Sequence, residues 1–253
     1  MNRIKSIQDI RKTLKAGGHS IGSWMQIPHP SVAEIMGNAE FDWVAVDMEH
    51  GAISVSQLPD LFRALELGKT LPLARIAHGQ PKECKQALDS GAGGIIVPMV
   101  ETAEQLIMIR DSCRWPPSGT RGVGFSRANL FGQRFDNYSV EAQTPLLIAM
   151  IEHHRAINNL HDLLAVDGLD AIMVGPYDLS ASMGLTAQFD SPKFKSTIKH
   201  IKDICTEHHI PCGIHLVSPD NSSLHKSIHD GYQFIAYSID AVFLNYAILF
   251  EKT

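Results

Sequence analysis

Short apolar runs alternate with helix-patterned segments along the chain, and this alternation limits the fold more than any other feature. The runs cover 19–27 (HSIGSWMQI), 41–48 (FDWVAVDM), 71–76 (LPLARI), 93–100 (GGIIVPMV), 146–152 (LLIAMIE), 171–175 (AIMVG), 212–217 (CGIHLV) and 232–239 (YQFIAYSI). Strand and helix in strict alternation form parallel βαβ units, because a parallel crossover needs a helix's length of chain. Eight such units in 253 residues match a (β/α)8 TIM barrel, typically about 250 residues long. An open doubly wound sheet is the competitor, but no G-x-G-x-x-G follows the first run. No linker or low-complexity stretch divides the chain, so residues 1–253 are expected to form one barrel domain.

The connecting segments carry their own punctuation. Ser31 followed by Glu34 reads as a capping box, each side chain answering an orphan backbone N–H. Ser191 and Pro192 read as an N-cap with proline at the first helical position, where its missing N–H costs nothing. Gly68 and Gly231 sit where helices should end.

Composition removes several function classes. Apolar residues make up 44% and charged residues 19%, enough to bury a core without cross-links, and the net charge of −5 offers no basic stripe for nucleic acid. No run reaches the roughly 18 apolar residues of a membrane span, and the first residues lack a signal-peptide core. A cytoplasmic protein with reduced, mostly buried thiols at Cys84, Cys113, Cys205 and Cys212 is expected, since their spacing fits no zinc or redox motif. His200, His208 and His209 are expected to be solvated surface.

A barrel assembles its active site at the C-terminal ends of its strands. There the second run supplies Asp47, Glu49 and His50, the third Arg75, the fifth Glu152, and the sixth leads into Asp178. Period-two alternation puts Ile148, Met150 and Glu152 on one face; if it points inward, the carboxylate stands at the mouth. Two carboxylates there need a cation or a shared proton, and an all-oxygen set suits a hard ion such as Mg²⁺ or Mn²⁺. The bland alternative is that Glu152 pairs with an Arg or Lys while Asp178 caps a turn. His153 points away from Glu152 by the same alternation. Asp47 and His50 suggest an acid–base couple, although parity separates them unless the chain turns at Glu49. Arg75, ending an apolar strand, needs an anion: Asp47, Glu49 or a substrate oxygen. The glycine-rich 114–128 (RWPPSGTRGVGFSRA) lacks P-loop spacing and reads as a lid over the mouth.

Five blocks in order, FDWVAVDMEHG, GAGGIIVPMVETAEQ, RWPPSGTRGVG, MIE and VGPYDLSASMG, resemble the HpcH/HpaI aldolases. These are metal-dependent class II pyruvate aldolases of the phosphoenolpyruvate/pyruvate barrel superfamily, of the 4-hydroxy-2-oxoheptanedioate or 2-dehydro-3-deoxyglucarate aldolase type. The resemblance covers roughly residues 5–250. It implies that Glu152 and Asp178 bind a divalent metal, Mg²⁺ or Mn²⁺ before Co²⁺ or Zn²⁺. It also implies that His50 with Asp47 is the base dyad, and that Arg75 meets the keto oxygen of pyruvate. Backbone around Tyr177 and Asp178 would hold the pyruvate carboxylate, with Gly175 and Pro176 letting the backbone approach it. Glu49 and Met150 would flank these groups. The implied reaction is reversible aldol cleavage of a 4-hydroxy-2-oxo acid to pyruvate and an aldehyde through a metal-stabilised enolate.

Two positions depart from the family pattern: Met150 stands where many members have Gln, and Tyr177 where many have a small residue. The same enolate would also serve a decarboxylase of oxaloacetate-like acids or a CoA-ester lyase. Met150 keeps open a barrel that binds 2-oxo acids without catalysis. The resemblance further implies a homohexamer with a swapped last helix, and the apolar segment 241–252 fits; otherwise that segment is the barrel's own eighth helix. Small molecules, and neither nucleic acid nor membrane, are the expected partners.

Overall fold

The computed structural model describes residues 1–249. Eight parallel strands close into a barrel in chain order: β1 (Ser20–Met25), β2 (Trp43–Asp47), β3 (Leu71–Arg75), β4 (Gly94–Val97), β5 (Leu146–Ile151), β6 (Ala171–Val174), β7 (Cys212–Leu216) and β8 (Phe234–Ile239). The last pairs with the first, with an irregular register between Gly22 and Trp24. The helices are α1 (Arg3–Lys15), α2 (Pro30–Gly37), α3 (Leu58–Leu67), α4 (Pro81–Asp89), α5 (Ala103–Cys113), α6 (Phe135–Glu141), α7 (His154–Asn158), α8 (Leu160–Leu164), α9 (Pro176–Ser182), α10 (Pro192–Glu207), α11 (Asn221–His229) and α12 (Asp240–Ile248). Every expected strand is present. Among the described residues no helix is long and apolar enough to cross a membrane.

Alternation along each strand divides the core in two. Outward residues such as Val44, Val46, Leu147, Ala149, Ile151, Ile172 and Val174 pack under the helices. Inward residues such as Ala45, Leu73, Ile96, Ile148, Met150 and Met173 fill the barrel together with Ile7, Ile10 and Leu14 of α1, which forms its floor. An aromatic column runs up the interior. Phe234 stacks on Trp43 at 4.4 Å, Trp43 meets Trp24 edge-on at 6.2 Å, and the Arg75 guanidinium lies 4.3 Å above the Trp24 ring. Gly22 makes room for it: a Cβ there would fall 2.1 Å from the Trp43 ring.

Helix ends follow the sequence with one exception. Ser191 caps α10 through the Phe194 N–H, and Gly231 follows α11 with φ +87°, the left-handed region glycine favours. Gly68 ends α3 where a Cβ would stand 2.1 Å from the Gly37 carbonyl oxygen, so close helix packing requires it. The capping box expected at Ser31 does not form. His29 is the N-cap of α2, its ring accepting the Ser31 N–H, because Pro30 fixes the helical φ one residue earlier.

The segment 114–128 is also not a lid over this barrel's mouth. It follows α5 and therefore lies at the opposite, N-terminal end of the strands. Trp115 and Arg121 are buried against Tyr138 there, and Arg127 reaches Glu66 at the end of α3 and the Ser90 carbonyl after α4. Arg3 of α1 joins this network through Glu66 (3.0 Å) and Glu141 (2.7 Å). At the other terminus, α12 begins at buried Asp240, whose carboxylate accepts the N–H groups of Gln26 and Ile27. Its residues Leu244, Tyr246 and Ile248 face solvent. Positions 250–252 of the expected final helix lie outside the described residues.

Candidate active site

Polar groups collect where the strands end. Asp47, the last residue of β2, is fully buried and takes Arg75 of β3 in a two-pronged grip: Nε to Oδ1 at 2.8 Å and Nη2 to Oδ2 at 2.5 Å. Parallel pairing puts Asp47 directly beside Arg75, so the fork geometry follows from register. The Gln26 side chain donates to the same carboxylate at 2.8 Å. Burial works to raise the Asp47 pKa, but the hydrogen bonds and charge of Arg75 outweigh it and hold the carboxyl below its usual range. Arg75 is thus paired before any ligand arrives. Its Nη1 has no hydrogen bond among the described residues.

Asp47 does not bond the His50 imidazole. Its Oδ1 accepts the backbone N–H groups of Glu49 and His50, turning the chain tightly after β2 and directing the ring outward. The His50 side chain is 59% exposed, and its nearest carboxylate is Glu49, with Nε2 to Oε2 at 3.8 Å. The expected Asp47–His50 side-chain couple is therefore replaced by an Asp47–Arg75 pair and a Glu49–His50 approach. Glu49 itself is only loosely held: Oε2 lies 3.5 Å from Arg75 Nε and is buried without a hydrogen bond. Burial, countered by Arg75, leaves its pKa raised.

Glu152, just beyond β5, is 4% exposed and directed toward the mouth above Met150, as alternation predicts. Among the described residues no Lys or Arg pairs with it, and its one hydrogen bond comes from the backbone N–H of Met99 (3.0 Å), which adopts a left-handed φ of 52° after β4. Burial, with Glu49 and Asp178 adding their charges, pushes its pKa up to about 7. Gly175 is the space that admits this carboxylate: a Cβ there would lie 2.5 Å from Glu152 Oε1. The sequence reading attached Gly175 to ligand approach; in the structure its small size first serves Glu152.

Pro176 opens α9, and Asp178 lies in its first turn with an exposed carboxylate that makes no hydrogen bond among the described residues, so it caps nothing. The first-turn N–H groups of Tyr177 and Asp178 are orphan donors. Tyr177 is 55% exposed and leans edge-on against Phe189 at 5.0 Å, lining an apolar groove of about 730 Å³ with Phe194 and Leu216. His153 is occupied elsewhere, its ring accepting the Arg155 N–H as the cap of α7.

The HpcH/HpaI aldolase/citrate lyase profile matches residues 20–246, nearly the whole barrel. The chain belongs to this family. It is 40% identical over 243 residues to the hydroxypyruvate/pyruvate aldolase of Roseobacter denitrificans, covering 94% of this chain and 93% of that one. It is 33% identical over 241 residues to the 5-keto-4-deoxy-D-glucarate aldolase of Salmonella paratyphi A, covering 95% and 93%. Its fold matches that of an HpcH/HpaI aldolase/citrate lyase family protein from Burkholderia cenocepacia with a TM-score of 0.88 and 27% identity, over 94% and 95% of the two chains.

Four residues of this HpcH/HpaI barrel reach the mouth without having been singled out from sequence. Trp24 of β1 and Gln26 just beyond it hold the Arg75–Asp47 pair, and Met99 holds Glu152 through its backbone. His215 of β7 points inward beside Trp24 at 5.8 Å, with its Nε2 buried and unpaired. Burial and the Arg75 charge push its pKa down to about 4, so it is neutral at ordinary pH. Alternation from Gly213 would have placed His215 inside; Met99 acts through backbone and leaves no side-chain signal.

Proposed function

We propose that the protein is a metal-dependent class II aldolase that reversibly cleaves a 4-hydroxy-2-oxo acid to pyruvate, or its 3-hydroxy derivative, and an aldehyde. The observation that carries this reading is the buried Glu152 carboxyl, its pKa raised by burial and by the charges of Glu49 and Asp178, at a mouth whose one guanidinium, Arg75, is already committed to Asp47. Relatives aligned over nearly their full length are named as aldolases, one for both hydroxypyruvate and pyruvate and another for 5-keto-4-deoxy-D-glucarate.

The residues fit a divalent cation. Among the described residues Glu152 is buried without a counterion and Glu49 Oε2 is an orphaned buried oxygen, and the donors are all oxygen, which suits Mg²⁺ or Mn²⁺. Glu152 and Asp178 would hold it, leaving positions for water or substrate. Once bound, it supplies Lewis acidity toward the oxygens of a 2-oxo acid.

The chain's own groups do the rest. The Arg75 guanidinium, fixed by Asp47, Gln26 and Trp24, offers Nη1 to the keto oxygen and stabilises negative charge as the C–C bond breaks; one oriented donor of this kind is typically worth about 3 kcal/mol. The orphan N–H groups of Tyr177 and Asp178 receive the substrate carboxylate. His50, exposed at the mouth and faced by Glu49, takes the hydroxyl proton in cleavage and returns it in condensation. Met150 gives that floor an apolar surface and no donor. We further propose that the protein works in the cytoplasm and, from the solvent-facing apolar residues of α12, that it is a homo-oligomer, a hexamer by family resemblance.

Pyruvate or hydroxypyruvate release from a panel of 4-hydroxy-2-oxo acids, with Mg²⁺ or Mn²⁺ and then with chelator, tests the activity. Turnover that needs the metal is the expected result. Turnover unaffected by chelator, or binding of pyruvate with no turnover of any panel member, would overturn it.

A further inference from the structure

The lower flank of the barrel carries a second set of metal-type donors, remote from the mouth. His161 lies in the first turn of α8, while Glu207 ends α10 and His208 caps it just ahead of β7. The trio therefore stands toward the N-terminal ends of the strands, opposite Glu152 and Asp178. His161 Nδ1 is 3.0 Å from His208 Nε2, with ring centroids 5.2 Å apart. Glu207 completes a group in which one donor atom from each residue lies within 4.8 Å of the other two. Among the described residues no other trio of His, Cys, Asp or Glu meets that spacing.

Their backbones are anchored. The His161 carbonyl accepts from Ala165 N–H at 3.1 Å, and His208 N–H donates to the Ile204 carbonyl at 3.0 Å. Leu160, Leu163 and Leu164 under α8, with Ile204 and Cys205 under α10, are buried. Two helices seated on the core by their buried faces thus present two imidazoles and a carboxylate toward one point at the surface.

We propose that His161, Glu207 and His208 form a second divalent-metal site, of the zinc type, that staples α8 to α10. Two nitrogens and one oxygen select a borderline ion such as Zn²⁺ over Mg²⁺, whose preferred ligands are all oxygen. Nitrogens sharing a tetrahedral zinc at roughly 2.0–2.1 Å stand about 3.3 Å apart, so the observed pair needs only a small side-chain adjustment. The hydrogen now shared between the rings moves to a far ring nitrogen by tautomerisation, the ion takes its place, and water completes the coordination. The site is independent of the aldolase reading.

The test uses the full chain, stripped with chelator and titrated with Zn²⁺ against a chromophoric competitor, beside His161→Ala/His208→Ala. The parent should take up one more Zn²⁺ per chain than the double variant, and its Zn²⁺-induced rise in Tm should exceed the variant's. Glu207→Gln, which removes the one anionic ligand, should weaken Zn²⁺ binding by at least the roughly tenfold lost with an outer supporting partner. Activity with Mg²⁺ should be the same in parent and double variant. Surface histidines elsewhere contribute equally to both proteins and cancel. Equal Zn²⁺ stoichiometry and affinity in parent and double variant would overturn the proposal.

Discussion

Glu152 is a carboxyl that the fold keeps half-neutral. Its raised pKa favours the metal-free protein at low pH: that stabilisation is full below about 4.5 and lost as pH rises through about 7. The loss is on the order of 3 kcal/mol. Metal binding needs the ionised form, so divalent-ion affinity should fall about tenfold per pH unit below 7 and level off above it. Calorimetry across pH 5 to 8 on parent and Glu152→Gln checks both; a flat affinity profile in the parent would refute the assignment. Gly175→Ala brings a methyl against the same carboxylate. It should weaken metal binding and kcat at least tenfold while shifting Tm little, whereas an unchanged metal affinity would show that Glu152 has room to move. At this scale sequence and structure part company most. Position at strand ends put Glu152, Arg75 and Asp47 at the mouth, and alternation put Glu152 inside provided its face points inward. It could not show that Asp47 spends its oxygens on Arg75 and the backbone rather than on His50, because pairing depends on neighbours from another strand.

The elements repeat the division. Strands and most helix ends were legible, since apolar runs, caps and glycines are local signals. The network of Arg3, Glu66, Arg127 and Glu141 was not, because it joins α1, α3, α6 and the 3-10 segment Arg127–Gly132, which are distant in sequence. Glu66→Ala leaves Arg127 without a carboxylate partner and Arg3 with only Glu141. Removing one member of a buried pair costs about 3–5 kcal/mol, reduced here because Arg3 keeps one partner. We expect a loss of about 2–3 kcal/mol in urea unfolding with kcat nearly unchanged, and a change under 0.5 kcal/mol would mean the network is solvent-screened. The segment 114–128 was misplaced for the same reason: glycine and proline announce a loop but not which end of the barrel it occupies.

The whole molecule leaves one helix unfinished. Leu244, Tyr246 and Ile248 of α12 are exposed on a helix held at its start by Asp240 and farther along by Phe243 against Phe41 and Tyr237, a pattern that marks an interaction face. The parent should sediment as an oligomer, and Leu244→Glu with Ile248→Glu should shift it to smaller species; a monomeric parent would contradict the assembly. The family fold was readable at this scale from order and spacing of blocks, while the partner surface was not, since an apolar helix looks the same whether it covers its own barrel or another. The aromatic column of Phe234, Trp43 and Trp24 has a different consequence. It stands as a bulkhead between the reactive end of the barrel and the ion-paired floor, so substitutions that retune substrate choice at the mouth need not disturb the contacts that hold the floor together. Selectivity at the mouth and foldedness at the other end can then be mutated as largely separate traits.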